Sequence, residues 1–178
     1  MKDFIKRKRN VILFIIILLL ILCVFLLFFY VSNKKSEYSN QYYKIKYDST
    51  WKIDKKNDND LILEHKKTKS LLTINYKIVE DDLLDISLEN LVNDLSYSIQ
   101  EQNKNYKLLS KNIKDYKYEA FEFLYEDEEE QALVTIIKKD NVLLFVTYNA
   151  ESDCFDIVLD SVNSIINTLE IFSGELIN

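Results

Sequence analysis

The chain of 178 residues contains one Gly and no Pro. Loops that cradle phosphate need glycines so that the backbone can approach the anion, and Gly174 stands alone, so that class of site is excluded. Turns must instead be built from Asn and Asp, which tolerate left-handed backbone. Histidine is equally scarce. His65 is the single one, and a zinc site, which needs several His or Cys at ligand spacing, is not encoded. Any Ser-His or Cys-His nucleophile would have to use His65, which lies between Glu64 and Lys66 in a short predicted strand and reads as structural or solvated. Of the two cysteines, Cys23 lies in an apolar run and Cys154 far away in a polar region, so they do not pair. An exported domain without an internal disulfide fits a bacterial envelope better than a disulfide-stapled secreted scaffold. The shortage of Gly and Pro beside abundant Lys, Asn, Ile and Tyr is what AT-rich coding produces.

Charge is absent where it matters most. Residues 11–31, Val11 through Val31, carry none, and nineteen of these 21 positions are Leu, Ile, Phe or Val, the exceptions being Cys23 and Tyr30. As a helix at about 1.5 Å per residue the run spans roughly 31 Å, the thickness of a bilayer core of about 30 Å. Tyr30 falls where an interfacial aromatic belongs. Lys2, Lys6, Arg7, Lys8 and Arg9 precede the run and only Lys34 and Lys35 follow it closely, so the basic N-terminus, residues 1–10, is expected in the cytoplasm and everything after the helix outside. A cleaved signal peptide would want a shorter apolar core and small residues at its end, but Tyr30-Val31-Ser32 closes this run. A lipoprotein signal would want a small residue before its cysteine, yet Cys23 follows Leu22 and precedes more apolar sequence. The segment therefore reads as an uncleaved anchor in the cell membrane. It has no Gly for a Gly-based helix-dimer motif.

The two sides of this segment differ in sign. Residues 1–35 hold seven Lys/Arg against Asp3, a net of +6, while residues 36–178 hold 16 basic and 28 acidic residues, a net of −12. The acidic body would be repelled by nucleic acid, so nucleic acid is not an expected partner.

Residues 32–41 (SNKKSEYSNQ) are polar and lack periodicity, so they read as a linker. Alternation begins after them. Tyr43, Ile45 and Tyr47 share a strand face, Trp51 and Ile53 continue in the next strand, residues 55–60 make a turn, and 61–65 with 70–79 read as a hairpin in which Leu72, Ile74, Tyr76 and Ile78 align. Leu88, Leu91, Val92, Leu95 and Ile99 fall on one face of a helix expected over 88–103, with Ser87 as its N-cap. Strands are then expected at 106–113, 117–126, 131–138 and 142–149. Phe121, Phe123 and Tyr125 share a face, and the last two strands are apolar on both faces, as central strands covered on both sides should be. A final helix begins near Asp153 and buries Phe155, Val158, Leu159, Val162, Ile166 and Leu169. The fold class is α+β, a mainly antiparallel β-sheet with helices packed on it, preceded by one transmembrane helix.

Two stretches carry a resemblance. Tyr43-x-Ile45-x-Tyr47-Asp48-Ser49-Thr50-Trp51 resembles the opening of PsbP-like domains, in which an aromatic strand runs into a Pro-x-x-Trp turn; Asp48 stands here where Pro is usual. Tyr148-Asn149-Ala150, Phe155 and Ile165-Ile166-x-Thr168-Leu169 resemble the closing strand and helix of that family. With the element order between, the resemblance covers residues 42–172 and leaves 173–178 as a tail. It implies an α/β/α sandwich of the PsbP/DcrB type. That superfamily includes a photosystem II extrinsic subunit, a Ran-binding nuclear transport factor and bacterial envelope proteins, which mostly bind or stabilise larger assemblies. No catalytic residue comes with the fold.

The remaining chemistry is thin. Cys154, near the start of the last helix, is either a thiol activated by the helix N-terminus or a packing residue. The acidic run Glu126–Glu130 lacks the ligand spacing and the Gly of a calcium loop and reads as a solvated hairpin turn. No catalytic, cofactor-binding or metal-binding residue is assigned, and no cofactor is expected. The sequence reads as a non-enzymatic, membrane-tethered extracytoplasmic module, in contact with the lipid bilayer through residues 11–31 and with an envelope protein partner. Two alternatives stay open: a sensor or ligand-binding domain acting through a membrane partner, and a cell-envelope hydrolase working with paired carboxylates.

Overall fold

The computed structural model describes residues 16–25, 35–56, 60–79, 87–93, 95 and 107–172. The N-terminal residues 1–10, expected in the cytoplasm, both ends of the 11–31 run, the turn core at 57–59, the part of the expected helix beyond residue 95 and the tail lie outside the described residues. The chain divides into two compact units, Met1–Lys35 and Ser36–Asn178. In the first, residues 16–25 form a helix, α1, whose Leu, Ile, Val and Phe side chains are all exposed. Among the described residues no helix is long and apolar enough to cross a membrane.

The second unit holds ten strands and two helices among the described residues. The strands are β1 (Ser36–Ser39), β2 (Tyr43–Tyr47), β3 (Trp51–Lys56), β4 (Asp60–His65), β5 (Leu71–Ile78), β6 (Lys107–Asp115), β7 (Glu119–Glu126), β8 (Glu130–Lys139), β9 (Val142–Glu151) and β10 (Glu170–Ile171). Helix α2 covers residues 88–93 and α3 runs Ser152–Ile166. Seven strands pair in the order β3-β4-β5-β9-β8-β7-β6, antiparallel throughout, and β1-β2-β10 make a separate small sheet. The doubly apolar strands β8 and β9 do lie in the interior of the large sheet. The expected mainly antiparallel sheet with helices on it is the observed architecture.

Each face of the large sheet has its own core. On one, Leu61, Leu63, Leu72, Ile74, Leu144, Val146 and Tyr148 pack with Phe155, Val158, Val162, Ile165 and Ile166 of α3 and with Tyr43, Ile45 and Tyr47 of β2. On the other, Leu88 and Val92 of α2 pack with Phe121, Phe123, Tyr125, Ile136 and Leu143. Period-two alternation along the strands makes both cores possible, because successive side chains leave on opposite faces. At the start of α2, Ser87 accepts a hydrogen bond from the Asn90 backbone at 3.3 Å, as its residue type predicts.

Three features depart from the sequence reading. Residues 36–39, expected as part of a linker, are strand β1, paired with β2 from Ser36 opposite Tyr47 to Ser39 opposite Lys44. Asn40 makes the turn: its side chain accepts from the backbone N–H of Tyr42 at 2.9 Å and of Tyr43 at 2.8 Å. The pattern was hidden because only Tyr38 on this strand is apolar, with its ring centroid 5.8 Å from that of Tyr43. Second, β2 belongs to the small sheet rather than continuing into the large one. Third, the two-residue strand β10 closes that sheet after α3, too short to show a periodicity.

The end of α3 shows how the small sheet is fastened. After β10 pairs Glu170 with Lys44 and Ile171 with Tyr43, the Thr168 hydroxyl takes over the ladder. It accepts from Lys46 N–H at 2.9 Å, and its proton is shared between Lys46 C=O at 3.0 Å and Ile165 C=O at 2.7 Å. Two turns meet the lack of glycine with non-Gly residues at positive φ, Asp140 at 52° between β8 and β9 and Lys69 at 63° between β4 and β5. Asp is a tolerant choice for that region, whereas Lys is not.

Candidate functional site

The densest polar network surrounds Trp51, the buried first residue of β3. Asp48 opens the turn that leads into it. One carboxylate oxygen, Oδ1, accepts from the Thr50 backbone N–H at 2.7 Å and from the Thr50 hydroxyl. The other accepts from Ser161 of α3 at 3.3 Å, while Trp51 Nε1 donates to the same Ser161 oxygen at 2.9 Å. Burial alone would push the Asp48 carboxyl up, but hydrogen bonds from Thr50 and Ser161, with His65 nearby, hold it below the usual carboxylate range. Asp48 thus fastens the turn through side-chain hydrogen bonds to Thr50 and Ser161.

His65 packs edge-on against Trp51, with ring centroids 5.2 Å apart, and is 8% exposed. Its Nδ1 lies 2.8 Å from the Thr68 hydroxyl, which lies 2.7 Å from that of Ser70. Burial holds the imidazole pKa below its ordinary value, Asp48 works against this, and Lys67 adds to it. The hydrogen-bonded partner of His65 is therefore a threonine in its own turn, and Ser161 gives its proton to a carboxylate. The residues of a Ser-His-Asp set are neighbours here without the relay that activates a serine.

A second group gathers where β9 meets α3. Glu151, Asp153 and Cys154 bring their ligand atoms within 4.8 Å of one another. The acidic hairpin turn lies alongside: Asp127 accepts from the backbones of Glu129 at 2.9 Å and Glu130 at 2.7 Å, and Ser152 N–H and Oγ donate to Glu129 C=O at 3.0 and 3.2 Å. Residues Asp127 to Glu130 line an open hollow of about 390 Å³. The turn is a backbone-capped hairpin, as its sequence suggested. The Cys154 thiol is pushed up by its hydrogen bond to Asp153, by burial and by the charges of Asp153 and Glu151, the reverse of an activated helix-terminal thiol. Among the described carboxylates, those with a displaced pKa (Asp48, Glu64 and Asp127) are all lowered.

Glu122 was not singled out from sequence. It is 5% exposed in the middle of β7. Its Oε1 accepts from Tyr116 at 2.5 Å and Thr135 at 3.4 Å, and Oε2 pairs with Lys114 at 3.0 Å. Burial, then the carboxylate itself, raises the Tyr116 phenol. The signal was a charge inside the otherwise apolar run Ala120–Leu124. Three partners make it a satisfied clasp joining β6, β7 and β8. The Tyr43 hydroxyl, by contrast, is buried without a partner among the described residues.

No protein-family model matches the chain, and no curated protein matches it. Solved structures do. The solution structure of cyanobacterial PsbP (CyanoP) from Synechocystis sp. PCC 6803 aligns with a TM-score of 0.58 at 15% identity, over 78% of this chain and 92% of that one. A protein of unknown function from Pseudomonas aeruginosa aligns at 0.53 and 10% identity, over 80% of this chain and all of that one. A structure from Bacteroides thetaiotaomicron gives 0.53 at 11% identity, over 78% of this chain, which spans about half (49%) of that protein's length. At such identities the likeness is one of fold. The domain has a PsbP-like α+β fold, as the motifs around Trp51 and Thr168 implied.

Proposed function

We propose that this protein is a membrane-tethered extracytoplasmic module that assembles with another component of the cell envelope. The observation that carries this reading is the uncharged run 11–31, with five Lys/Arg before it, joined to a separate compact unit that begins at Ser36. The basic flank orients the anchor, and the acidic body is placed outside. The polar networks support a binding role rather than a chemical one, since Asp48 and Ser161 engage each other, His65 its own turn, and Glu122 the strands beside it.

Cross-linking the full-length tagged protein in its native membrane, followed by mass spectrometry, tests the proposal, with residues 36–178 alone as control. A stoichiometric membrane partner absent from the control is expected. Recovery of no partner, or of the same set with the control, overturns the assembly reading.

A further inference from the structure

The one histidine and the one tryptophan of the chain stand opposite each other on the β3–β4 ladder, His65 beside Trp51. The turn after His65 folds back onto it. Lys69 N–H donates to the His65 carbonyl at 2.9 Å, His65 N–H to the Ser70 carbonyl at 2.8 Å, and Lys66 N–H to the Thr50 carbonyl at 2.8 Å. The ring closes the same turn from inside: the Thr68 hydroxyl lies 2.8 Å from Nδ1, and the Thr68 backbone N–H is aimed at Nδ1 from 3.4 Å. A backbone N–H only donates, so this geometry makes Nδ1 an acceptor and puts the single imidazole proton on Nε2. Lys69, at a positive φ that its side chain disfavours, is held in place by these bonds.

We propose that His65 and the turn 66–69 form an acid-released latch: a proton on Nδ1 turns the acceptor into a donor, which the Thr68 N–H cannot meet, and the turn opens while the rest of the sheet stays folded. Around the ring, Asp48 from the turn before β3 favours the added proton and Lys67 from the latch itself opposes it. Trp51 of β3 and Ser161 of α3 beyond it bring no charge, Glu64 of β4 is turned to Lys52 and Lys69, and Tyr148 of β9 stands behind Ser70. Burial outweighs Asp48, so the closed corner disfavours the charged ring. A ring that leaves the corner regains water and its ordinary value of about 6.5. Opening is therefore favoured by up to about tenfold per pH unit as the pH falls from there to the lower value of the closed form. The latch does not rest on the membrane anchor.

The test uses the purified full-length chain in detergent, where Trp51 fluorescence reads protonation of its neighbour and hydrogen exchange reads opening. Between pH 7.5 and 4.5 the fluorescence should pass through one transition centred below about 6.5, absent from His65→Gln. Over the same range, with the intrinsic exchange rate divided out, the His65, Lys66 and Lys69 amides should lose protection several-fold in the wild type, and the β8 and β9 amides should keep theirs. In His65→Gln the protection of residues 66–69 should not depend on pH. If that variant does not fold, the wild type alone decides, because its fluorescence transition and its loss of protection must coincide in pH. A fluorescence transition with no loss of protection at 65–69, a loss spread equally over β8 and β9, or the same pH-dependent loss in His65→Gln overturns the proposal.

Discussion

Replacing Thr168 by Val probes how the small sheet is held. The two side chains have the same shape, so the change isolates the hydroxyl. In the structure that hydroxyl receives the Lys46 N–H at 2.9 Å and gives its proton to Lys46 or Ile165 C=O. The Thr168→Val change would leave the part-buried Lys46 N–H without its acceptor, a loss of about 1–3 kcal/mol. For a domain of this size the melting temperature should fall by about 3–10 °C. Thr168→Ser keeps the hydroxyl and loses one half-buried methyl, about 0.8 kcal/mol or less. Thermal and urea unfolding of residues 36–178, followed by near-ultraviolet circular dichroism, would compare the three proteins. Hydrogen exchange should show the Lys46 amide losing protection in the Thr168→Val protein. If the two variants are equally stable and Lys46 keeps its protection in both, the clasp reasoning is wrong.

Other consequences follow the same logic. Because burial depresses His65 in the folded state, its contribution to stability is present above the unfolded value of about 6.5 and is lost as pH falls through the lower folded value. His65→Gln should flatten the stability–pH curve in that window, as measured by urea midpoints; an unchanged slope would refute the assignment. Glu122→Ala removes the acceptor of the Tyr116 and Thr135 hydroxyls, while the exposed Lys114 ammonium stays in water, and should cost about 1–3 kcal/mol in urea unfolding, whereas an effect under about 0.5 kcal/mol would mean the network is solvated. At Asp140, φ of 52° makes Asp140→Ala unfavourable by about 1 kcal/mol and Asp140→Gly neutral or better, so the order of their melting temperatures checks the turn.

Much of this fold was legible because it rests on periodicity. Leu72, Ile74, Val146 and Tyr148 alternate, Phe155, Val158 and Val162 recur at helical spacing, and each lands in the core that the pattern assigns. Ser87 and Thr168 were visible as types, but the role of Thr168 was not, because its partner Lys46 lies 122 residues away. Strand β1 escaped notice because Glu37 is held by an ion pair to Lys44 at 3.0 Å, and an exposed ion pair leaves no hydrophobic pattern. The Asp48–Ser161–Trp51 node draws on three separate elements, so no local spacing announces it. Glu122 was readable in principle as a charge on a strand with apolar neighbours on both sides.

The proposed function requires an anchored domain that faces away from the cytoplasm. In a cysteine-free background, Glu128→Cys in the exposed β7–β8 turn and Lys6→Cys before the apolar run would each be challenged with a membrane-impermeant maleimide on intact cells. The Glu128→Cys protein should label without lysis, the Lys6→Cys protein only after it, and both should stay in the membrane pellet through alkaline extraction. Labelling of the Lys6→Cys protein on intact cells, or release of either protein into the soluble fraction, would contradict it.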